Sequence, residues 1–438
     1  MNLKIDISLR INLIRFLNSI FGGKGMKKST LITLLMIVIF SFIGCMDNNK
    51  KVSNEEVSNN EELTEKEKLD DFEYMYKILK ENYPYFEVSK RQNGVDWLSK
   101  KNEYIDRIKA TTDYESFFNT LDIILFELNN GHASMVDKSY YSYLKSLYSE
   151  NSKFFQPWLK QLNNPKAMER YKPIQGIENR VQSSVNTITP QNVKTSILEK
   201  NKVAYLSIQS FNMFNIDEDM KKIKPFLQDV KDYKSLIIDI RENVGGATTY
   251  WTDYIVPILI NRQLDYSYYI AYRGGSFSEE FVKYISGLGY EELKPISNIK
   301  SEKLRNLPPE VSESFKCYIK VTNSLKPNNP VGFNGKIYLL IDGSVFSSSE
   351  AFAVFAKSTG FATLVGERTG GDGIGSDPAI CTLPNSGYCF RFTKEMGIAP
   401  DGACNFESKT EPDIKVSAVK ATNFNDDEAI QAVLKLVH

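Results

Sequence analysis

Residues 235–246 read SLIIDIRENVGG, an apolar run that leads through charged residues into a glycine pair. A short apolar run bounded by turn residues predicts a buried strand, and the glycine pair predicts a tight turn before the next helix. Two adjacent glycines let a backbone approach a ligand closely, so their N–H groups are candidates to bind an oxyanion. An ordinary strand-to-helix turn is the alternative explanation for this segment taken by itself.

Strand-like and helix-like segments alternate on both sides of this stretch. The predicted strands cover residues 203–208, 235–240, 336–341 and 362–365, and the predicted helices cover residues 217–230, 247–259 and 347–358. Strands that alternate with helices favour an α/β core, here over residues 201–438, in which helices cover a sheet.

Residues 68–140 predict a small all-helical N-terminal domain. Apolar residues recur at helical spacing over residues 69–79, and residues 112–115 form a capping-box pattern at the start of a later helix. That helix stops at residues 129–131, Asn-Asn-Gly, and so delivers His132 into a loop. Residues 141–200, which prolines interrupt, predict a connector.

The N-terminal segment predicts export and lipidation. Met26 is followed by two lysines, an apolar run over residues 31–43, and Gly44 before Cys45. A membrane-spanning helix needs about 20 apolar residues, so this shorter run is typical of a signal peptide. Its end resembles a bacterial lipobox, which implies cleavage before Cys45 and lipidation of the Cys45 thiol. An ordinary signal peptide and an uncleaved anchor are the alternatives.

The segments around this signal have their own interpretations. Residues 1–25 are explained by translation that starts at Met26, or by a long positively charged leader region. Residues 46–67 are rich in Asn, Glu, Ser and Lys and predict a disordered tether. The expected location is therefore extracytoplasmic, with a lipid anchor in a bacterial cell membrane.

Composition excludes several classes of function. From Cys45 onward, 48 Lys and Arg stand against 53 Asp and Glu, a balance that gives no basis for nucleic-acid binding. The chain has 2 histidines and no cysteine pair at zinc-ligand spacing, so we expect neither a metal site nor a cofactor. Cys381 and Cys389 flank a turn-rich loop, and they predict either a cross-strand disulfide or two buried thiols.

Two further segments carry reactive side chains. Residues 343–350 follow the predicted strand 336–341 and run into an apolar helix. A serine at this junction would lie where helix N–H groups and the helix dipole favour a developing anion, although simple helix capping is the alternative. His132 is a candidate base, with a surface or buried structural histidine as the alternative.

The order of these segments resembles that of the tail-specific (C-terminal processing) protease superfamily, and especially its tricorn-like branch without an evident PDZ insertion. Five motifs carry the resemblance: Leu128-Asn-Asn-Gly-His132, Asp239-Ile-Arg-Glu-Asn-Val-Gly-Gly246, Ser347-Ser-Ser-Glu350, Val365-Gly-Glu-Arg-Thr-Gly-Gly371 and Glu411-Pro-Asp-Ile414. The first departs from the family pattern, because Asn130 replaces an aspartate. The resemblance covers about residues 68–438 and implies a crotonase-like α/β core after a helical domain.

The resemblance also implies site residues. The family's nucleophile falls on Ser347, and its oxyanion donors fall on the backbone N–H groups of Ser348 and Gly245, with Gly246 as the alternative. The Ser-Lys branch has its lysine base where this chain has Asp372, which cannot act as such a base. The tricorn-like branch instead uses a histidine, which falls on His132.

A triad needs a third, acidic member that orients the histidine. Glu407 best matches the glutamate that tricorn-like proteins have before their proline-aspartate pair, and Glu411 is the alternative. The alternative for both glutamates is that they are ordinary solvated acids on the protein surface.

The expected function is therefore a surface-anchored serine peptidase that cleaves peptides or protein tails, with membrane contact through the lipid anchor only. One alternative is a non-catalytic lipoprotein that binds peptides with the same fold. Another is an esterase or acyl transferase that uses the same Ser-His pair, because a fold does not fix the substrate.

Overall fold

The structure is a computed structural model, and it describes residues 62–150, 152–172, 191–287 and 292–438. The predicted signal segment, the start at Met26, Cys45 and residues 46–61 of the predicted tether lie outside the described residues. Residues 173–190 of the predicted connector also lie outside them. None of the helices in the described part of the chain combines the length and the apolar character that a bilayer-spanning helix requires.

Helices fill most of the chain between residues 65 and 170. They are α1 (Glu65–Asn82), α2 (Phe86–Asn93), α3 (Lys101–Lys109), α4 (Tyr114–Phe126), α5 (Lys138–Glu150), α6 (Gln156–Leu162) and α7 (Pro165–Arg170). A capping box starts α1: the Thr64 hydroxyl accepts the N–H of Glu67, and the Glu67 carboxylate accepts the N–H of Thr64. The predicted tether, residues 46–67, therefore overlaps α1 by three residues.

The predicted connector, residues 141–200, contains packed helices in the part that the structure describes up to residue 172. Residues 138–170 form α5, α6 and α7, with Tyr148 and Trp158 buried. Pro157 and Pro165 lie in the first turns of α6 and α7, where a missing N–H costs nothing because that group has no partner within the helix. These prolines start helices, whereas the prediction took prolines as interruptions.

The remaining elements form three sheets and their covering helices. The strands are β1 (Ser134–Met135), β2 (Val193–Glu199), β3 (Val203–Ile208), β4 (Ser235–Asp239), β5 (Leu264–Tyr272), β6 (Lys294–Pro295), β7 (Cys317–Leu325), β8 (Lys336–Ile341), β9 (Thr363–Gly366), β10 (Ala379–Thr382), β11 (Cys389–Phe392), β12 (Met396–Ile398) and β13 (Ile414–Lys415). The helices after β3 are α8 (Ile216–Asp229), α9 (Val256–Leu259), α10 (Ser276–Gly287), α11 (Pro309–Ser314), α12 (Ser348–Thr359), α13 (Asn405–Ser408) and α14 (Glu428–Val437).

The largest sheet has six strands in the order β13-β9-β8-β4-β3-β2. Its pairs are parallel except for the antiparallel β2–β3 edge. All five residues of β4 are buried, because helices cover both faces of a parallel sheet and leave no side for polar residues. The predicted α/β core is confirmed, with its strands close to the predicted bounds. The other two sheets are antiparallel, in the orders β12-β5-β7-β6 and β1-β11-β10.

The helical N-terminal region and the smaller sheets share one hydrophobic core. Phe72 of α1 and Leu121 of α4 belong to the same buried cluster as Phe390 of β11 and Met396 of β12. The buried carboxylate of Asp71 also accepts the backbone N–H groups of residues 385 and 386 in the β10–β11 turn, at 2.7 and 2.8 Å. The helical region is therefore part of the same packing unit as the later chain.

The β10–β11 hairpin decides between the two interpretations of its cysteines. Cys381 pairs with Phe390, and Cys389 pairs with Thr382. This offset of one residue turns the two side chains to opposite faces of the hairpin, because neighbouring positions on a strand alternate. Both residues are buried free thiols, so the predicted cross-strand disulfide is wrong.

A buried arginine joins the central sheet to the C-terminal helix. The Arg241 guanidinium, 1% exposed, donates to both carboxylate oxygens of Asp239 and of Asp427 at 2.7–3.0 Å. Asp427 is also the N-cap of α14, where it accepts the N–H of Ile430 at 3.1 Å. The aspartate and arginine of the 239–246 motif are thus structural, since they fix α14 against the sheet.

We expect Arg241→Ala to lower the free energy of unfolding by about 3–5 kcal/mol, because it leaves two buried carboxylates without their cation. Urea denaturation followed by circular dichroism measures this change. Lys90→Ala removes one partner of the exposed Lys90–Asp96 ion pair and should have little effect. Equal effects of the two substitutions would contradict the structural role of Arg241.

Candidate active site

The candidate site lies at the carboxyl ends of the adjacent parallel strands β4 and β8. The glycine turn that contains residues 243–246 follows β4, and the loop of residues 342–347 follows β8. Open α/β sheets bind ligands at this edge, because the loops there converge. The same loops carry the glycine pair and the serines that the sequence singled out.

Ser347 occupies a sharp turn between β8 and α12. Its backbone has φ 57° and ψ −127°, a conformation that a non-glycine residue adopts only under strain. Its N–H donates to the carbonyl of Gly371 at 3.3 Å, and its own carbonyl accepts the N–H of Ala351 at 2.9 Å. The turn leaves the Ser347 hydroxyl accessible at the start of α12.

The two neighbouring serines are already engaged. The hydroxyl of Ser349 donates to the backbone carbonyls of Asn243 and Phe346, and the hydroxyl of Ser348 accepts the indole N–H of Trp251 at 3.2 Å. Both side chains are buried. Within the Ser347–Glu350 motif, only Ser347 therefore presents a hydroxyl to the site.

His132 lies beside Ser347, as the sequence predicts. It follows α4 in a loop that Asn129 turns with φ 52°. Its Nε2 is 3.1 Å from the Ser347 hydroxyl oxygen, and its ring packs on Phe346 with 4.6 Å between ring centres. Residues 215 positions apart are thus brought within hydrogen-bonding distance.

The acid that contacts His132 is Asp372. Its Oδ2 is 2.7 Å from the His132 Nδ1, and the Asp372 side chain is 2% exposed. Burial raises the pKa of this carboxyl, but the opposing effects of His132 and of the donors Asn130 and Tyr85 outweigh burial and lower its pKa below the ordinary value. The carboxylate therefore stays ionised. It accepts the Nδ1 proton, which leaves Nε2 as the acceptor for the Ser347 hydroxyl.

Neither glutamate that the sequence suggested contacts His132. Glu407 on α13 forms an ion pair with Arg91, with 2.6 Å between Oε2 and Nη2. Glu411 is exposed and lies 3.6 Å from Arg368. The acid in contact with His132 is therefore Asp372, and not the predicted Glu407 or its alternative Glu411. In the sequence, Asp372 stands out only because it replaces a lysine base. A carboxylate at a position whose residue contacts the serine could itself have indicated this role.

Asn130 links the acid to the histidine loop. Its amide Nδ2 donates to Asp372 Oδ2 at 3.0 Å, and its Oδ1 accepts the backbone N–H of His132 at 2.7 Å. An aspartate at this position would put a second carboxylate 3 Å from Asp372, where like charges oppose each other. The amide of Asn130 is therefore compatible with the carboxylate of Asp372, because it donates a hydrogen bond to it without adding a negative charge.

Three more donors and acceptors hold the Asp372 turn. Tyr85 donates to Asp372 Oδ1 at 2.9 Å, and the Thr393 hydroxyl lies 3.3 Å from Oδ2. The next residue, Gly373, donates its N–H to Asn405 Oδ1, whose amide donates to the buried Glu350 carboxyl at 2.7 Å. Burial raises the pKa of Glu350 to about 7 against its hydrogen bonds. Glu350, the last residue of the Ser347–Glu350 motif, thus stabilises the Asp372 turn through Asn405.

The glycine turn departs in one respect from its predicted role. The N–H of Gly245 donates to Oδ1 of Asn243 at 2.9 Å, so it is already engaged. The Gly245 carbonyl accepts the N–H of Phe211, and the C=O and N–H of one trans peptide point in opposite directions. The N–H of Gly246 therefore points away from Phe211. Among the described residues, no acceptor bonds the N–H of Gly246 or of Ser348, and these two groups are the better oxyanion candidates.

Gly245 is required for another reason. A Cβ at this position would lie 2.9 Å from the Cβ of Ser347 and 2.8 Å from the carbonyl oxygen of Phe346. Only a residue without a side chain lets the turn approach the serine so closely.

Comparison with known proteins agrees with this geometry. Residues 202–416 match the sequence model of peptidase family S41. No curated protein sequence matches the chain. A solved candidate peptidase from Parabacteroides merdae superimposes with a TM-score of 0.52 at 20% identity, over 84% of this chain and 96% of that one. Mature CPAF complexed with lactacystin gives a TM-score of 0.52 at 14% identity, over 85% of this chain and 98% of that one.

At these identities the structural likeness shows the fold, an α/β protease core after a helical region, and the sequence model shows the similarity of residues 202–416 to the family. The match covers the glycine turn, Ser347 and Asp372, and His132 reaches them from the helical region. The chain is a serine peptidase, and over residues 202–416 it is similar to peptidase family S41.

Proposed function

We propose that this protein is a surface-anchored peptidase that cleaves peptides or protein tails through an acyl-enzyme, with Ser347 as nucleophile, His132 as general base and Asp372 as the orienting acid. One observation carries the proposal. A continuous chain of two short contacts runs from hydroxyl to imidazole to buried carboxylate, at 3.1 and 2.7 Å. This is the arrangement by which serine hydrolases activate a hydroxyl.

The proposed reaction has two halves. His132 Nε2 takes the Ser347 proton while the oxygen attacks the peptide carbonyl carbon, and the carbonyl electron pair moves onto its oxygen. The tetrahedral intermediate expels the amine, which receives the proton from His132. Water then attacks the acyl ester while His132 takes a proton from it. As the second tetrahedral intermediate collapses, His132 gives that proton to the Ser347 oxygen, and the acid product leaves.

The developing oxyanion needs donors that are in place before the reaction. We infer that the N–H groups of Gly246 and Ser348 supply them, because neither has a partner among the described residues. The start of α12 adds the positive end of its helix dipole at the same point. The strained backbone of Ser347 holds the nucleophile at this end of the helix.

We expect Ser347→Ala, His132→Ala and Asp372→Ala each to reduce kcat on a peptide substrate by a large factor, on the order of 10⁴ for Ser347→Ala. A fluorophosphonate probe should label the full chain and lose that labelling in Ser347→Ala. Ser344→Ala, in the same loop, is the matched control and should label like the native chain. An unlabelled native protein would favour the non-catalytic peptide-binding alternative.

Peptide and ester substrates with the same acyl group distinguish a peptidase from an esterase or acyl transferase. The family supports peptide hydrolysis, since the sequence model that matches is that of a peptidase. Faster turnover of the ester alone, with no cleavage of any peptide in a library, would instead support the esterase or acyl-transferase alternative.

We expect Asn130→Asp to lower kcat/KM and to move its pH profile to higher pH by roughly one unit. The carboxyl of Asp372 has a lowered pKa and stays ionised, so a second negative charge beside it would favour the protonated, inactive imidazole. Activity would then require a higher pH. Asn129→Asp adds the same charge at the exposed neighbouring position and should leave the profile in place. An unshifted profile in Asn130→Asp would contradict the proposed coupling.

We propose that the chain is exported and anchored through a lipid on Cys45, because the segment before it has the order of charges, apolar run and small residue that such signals use. The acidic balance of the chain after Cys45 offers no polybasic alternative for membrane binding.

We expect Cys45→Ala to abolish incorporation of an alkyne-tagged palmitate and to release the protein from the detergent phase of a Triton X-114 extract. Cys317→Ala should keep both properties. A labelled Cys45→Ala variant, or a native protein in the aqueous phase, would contradict the anchor.

A further inference from the structure

One guanidinium contacts both ends of the short segment that carries His132. Arg391 lies on β11, directly opposite Ser134 of β1. Its Nη2 donates to the backbone carbonyl of Gly131 at 3.0 Å, and its Nε donates to the Ser134 hydroxyl at 3.3 Å. Gly131 comes immediately before His132, and Ser134 comes shortly after it. The Arg391 side chain therefore spans the loop from one side of His132 to the other.

The Arg391 guanidinium is itself held by Tyr140 of α5. Its Nη1 donates to the Tyr140 hydroxyl at 2.5 Å, and its central carbon lies 4.9 Å from the centre of the Tyr140 ring. The Tyr140 ring stacks in turn on Tyr143, with 6.0 Å between ring centres. A guanidinium presents its N–H donors in a fixed, planar fork. Acceptors on β1, on α5 and in the His132 loop thus fix the orientation of Arg391.

This cation has neutral acceptors only. Arg391 is partly buried, and its three partners are a backbone carbonyl and two hydroxyl groups. Over the ranges that the structure describes, no carboxylate forms an ion pair with Arg391. Neutralisation of a neighbouring acid therefore does not explain the residue, whereas the fork of donors does.

Side chains tie the His132 loop to its surroundings at three points. Asn130 bonds the acid Asp372, and Asp122 of α4 accepts the backbone N–H of Met135 at 2.9 Å. The third point is Arg391, which bonds residues on both sides of His132. The strand β1 adds little, because it has two residues and pairs with β11 alone in the described sheet. Arg391 is therefore a main support of the loop on the β11 side.

The carbonyl that Arg391 holds belongs to a closely packed residue. A Cβ at Gly131 would lie 3.1 Å from the ring of Phe346. That ring lies 4.6 Å from the His132 ring, centre to centre. A displacement of Gly131 would therefore disturb the contact on which the imidazole packs.

We propose that Arg391 is a positioning residue for the reaction: it holds the loop so that His132 stays in contact with Ser347 and Asp372 at once. This rests on the proposed peptidase function. The two contacts of the imidazole, at 3.1 and 2.7 Å, allow little displacement. Misplacing a reacting group by about 1 Å costs on the order of 100-fold in rate. Arg391 acts through the backbone of the loop and not on the substrate.

We expect Arg391→Met to lower kcat on a cleaved peptide by about 10- to 100-fold and to leave KM within about 2-fold, because it removes the donors without changing the contacts of the substrate. Arg391→Lys should also lose kcat, since an ammonium keeps the charge but not the fork. Tyr140→Phe should lower kcat by about 2- to 10-fold, because the guanidinium loses one acceptor. Arg262→Met removes an exposed guanidinium and is the matched control, with native kcat and KM.

A spectroscopic readout distinguishes this role from a general effect on stability. The chain has 2 histidines, so a His438→Gln background leaves His132 as the one ¹⁵N-labelled imidazole of the full chain. The proton between its Nδ1 and Asp372 should give a downfield resonance, because that contact is 2.7 Å long. Arg391→Met should broaden or remove this resonance while the circular dichroism spectrum and the Tm stay close to native.

Several outcomes would overturn the positioning role. These are native kcat in Arg391→Lys, native kcat in Tyr140→Phe, and an unchanged resonance in Arg391→Met. A higher KM at native kcat would overturn it in favour of substrate binding. If Arg391→Met does not fold, the kcat of Tyr140→Phe decides. All these results leave the proposed function standing as long as the fluorophosphonate labels the native chain, whereas a native chain with neither labelling nor cleavage would contradict both proposals.

Discussion

The buried carboxylate of Asp372 is the interaction on which the site depends. A charge without contact to water is tolerated only when donors surround it, and the four donors here come from three segments. Tyr85 precedes α2, Asn130 and His132 follow α4, and Thr393 follows β11. The helical region is therefore an integral part of the site, and its shared core with the smaller sheets holds these donors in register.

The acid also explains why two departures from the family pattern occur together. Where the Ser-Lys branch has a base, this chain has an acid, and where the histidine motif has an acid, this chain has an amide. An aspartate at residue 130 alone would leave two carboxylates about 3 Å apart. A lysine at residue 372 alone would leave the Asn130 amide without its acceptor. This fold thus brings a hydroxyl, an imidazole and a carboxylate together, with the carboxylate supplied from the turn at residues 371–373 rather than from the region around residue 407.

Much of the fold could be predicted from the sequence, because central parallel strands are apolar throughout and their turns are marked by glycine. Ser347 and His132 could be predicted because motifs carried them. Asp372 could not be assigned by the same means, since its role depends on a tertiary contact with a residue 240 positions away. The helices after residue 138 were missed because prolines at helix starts look like interruptions. The engaged N–H of Gly245 depends on the side chain of Asn243, which a motif pattern does not reveal.

The common core of the helical region and the smaller sheets bears on which polypeptides can reach Ser347. Domains joined by a hinge open by exposing little apolar surface, whereas separating α1 and α4 from β11 and β12 would expose residues such as Phe72, Leu121 and Phe390 to water. Separating the two regions therefore costs far more than a hinge motion, and Ser347 and His132 stay held together. Under the proposed peptidase function, we expect a substrate to enter the site without any parting of these two regions.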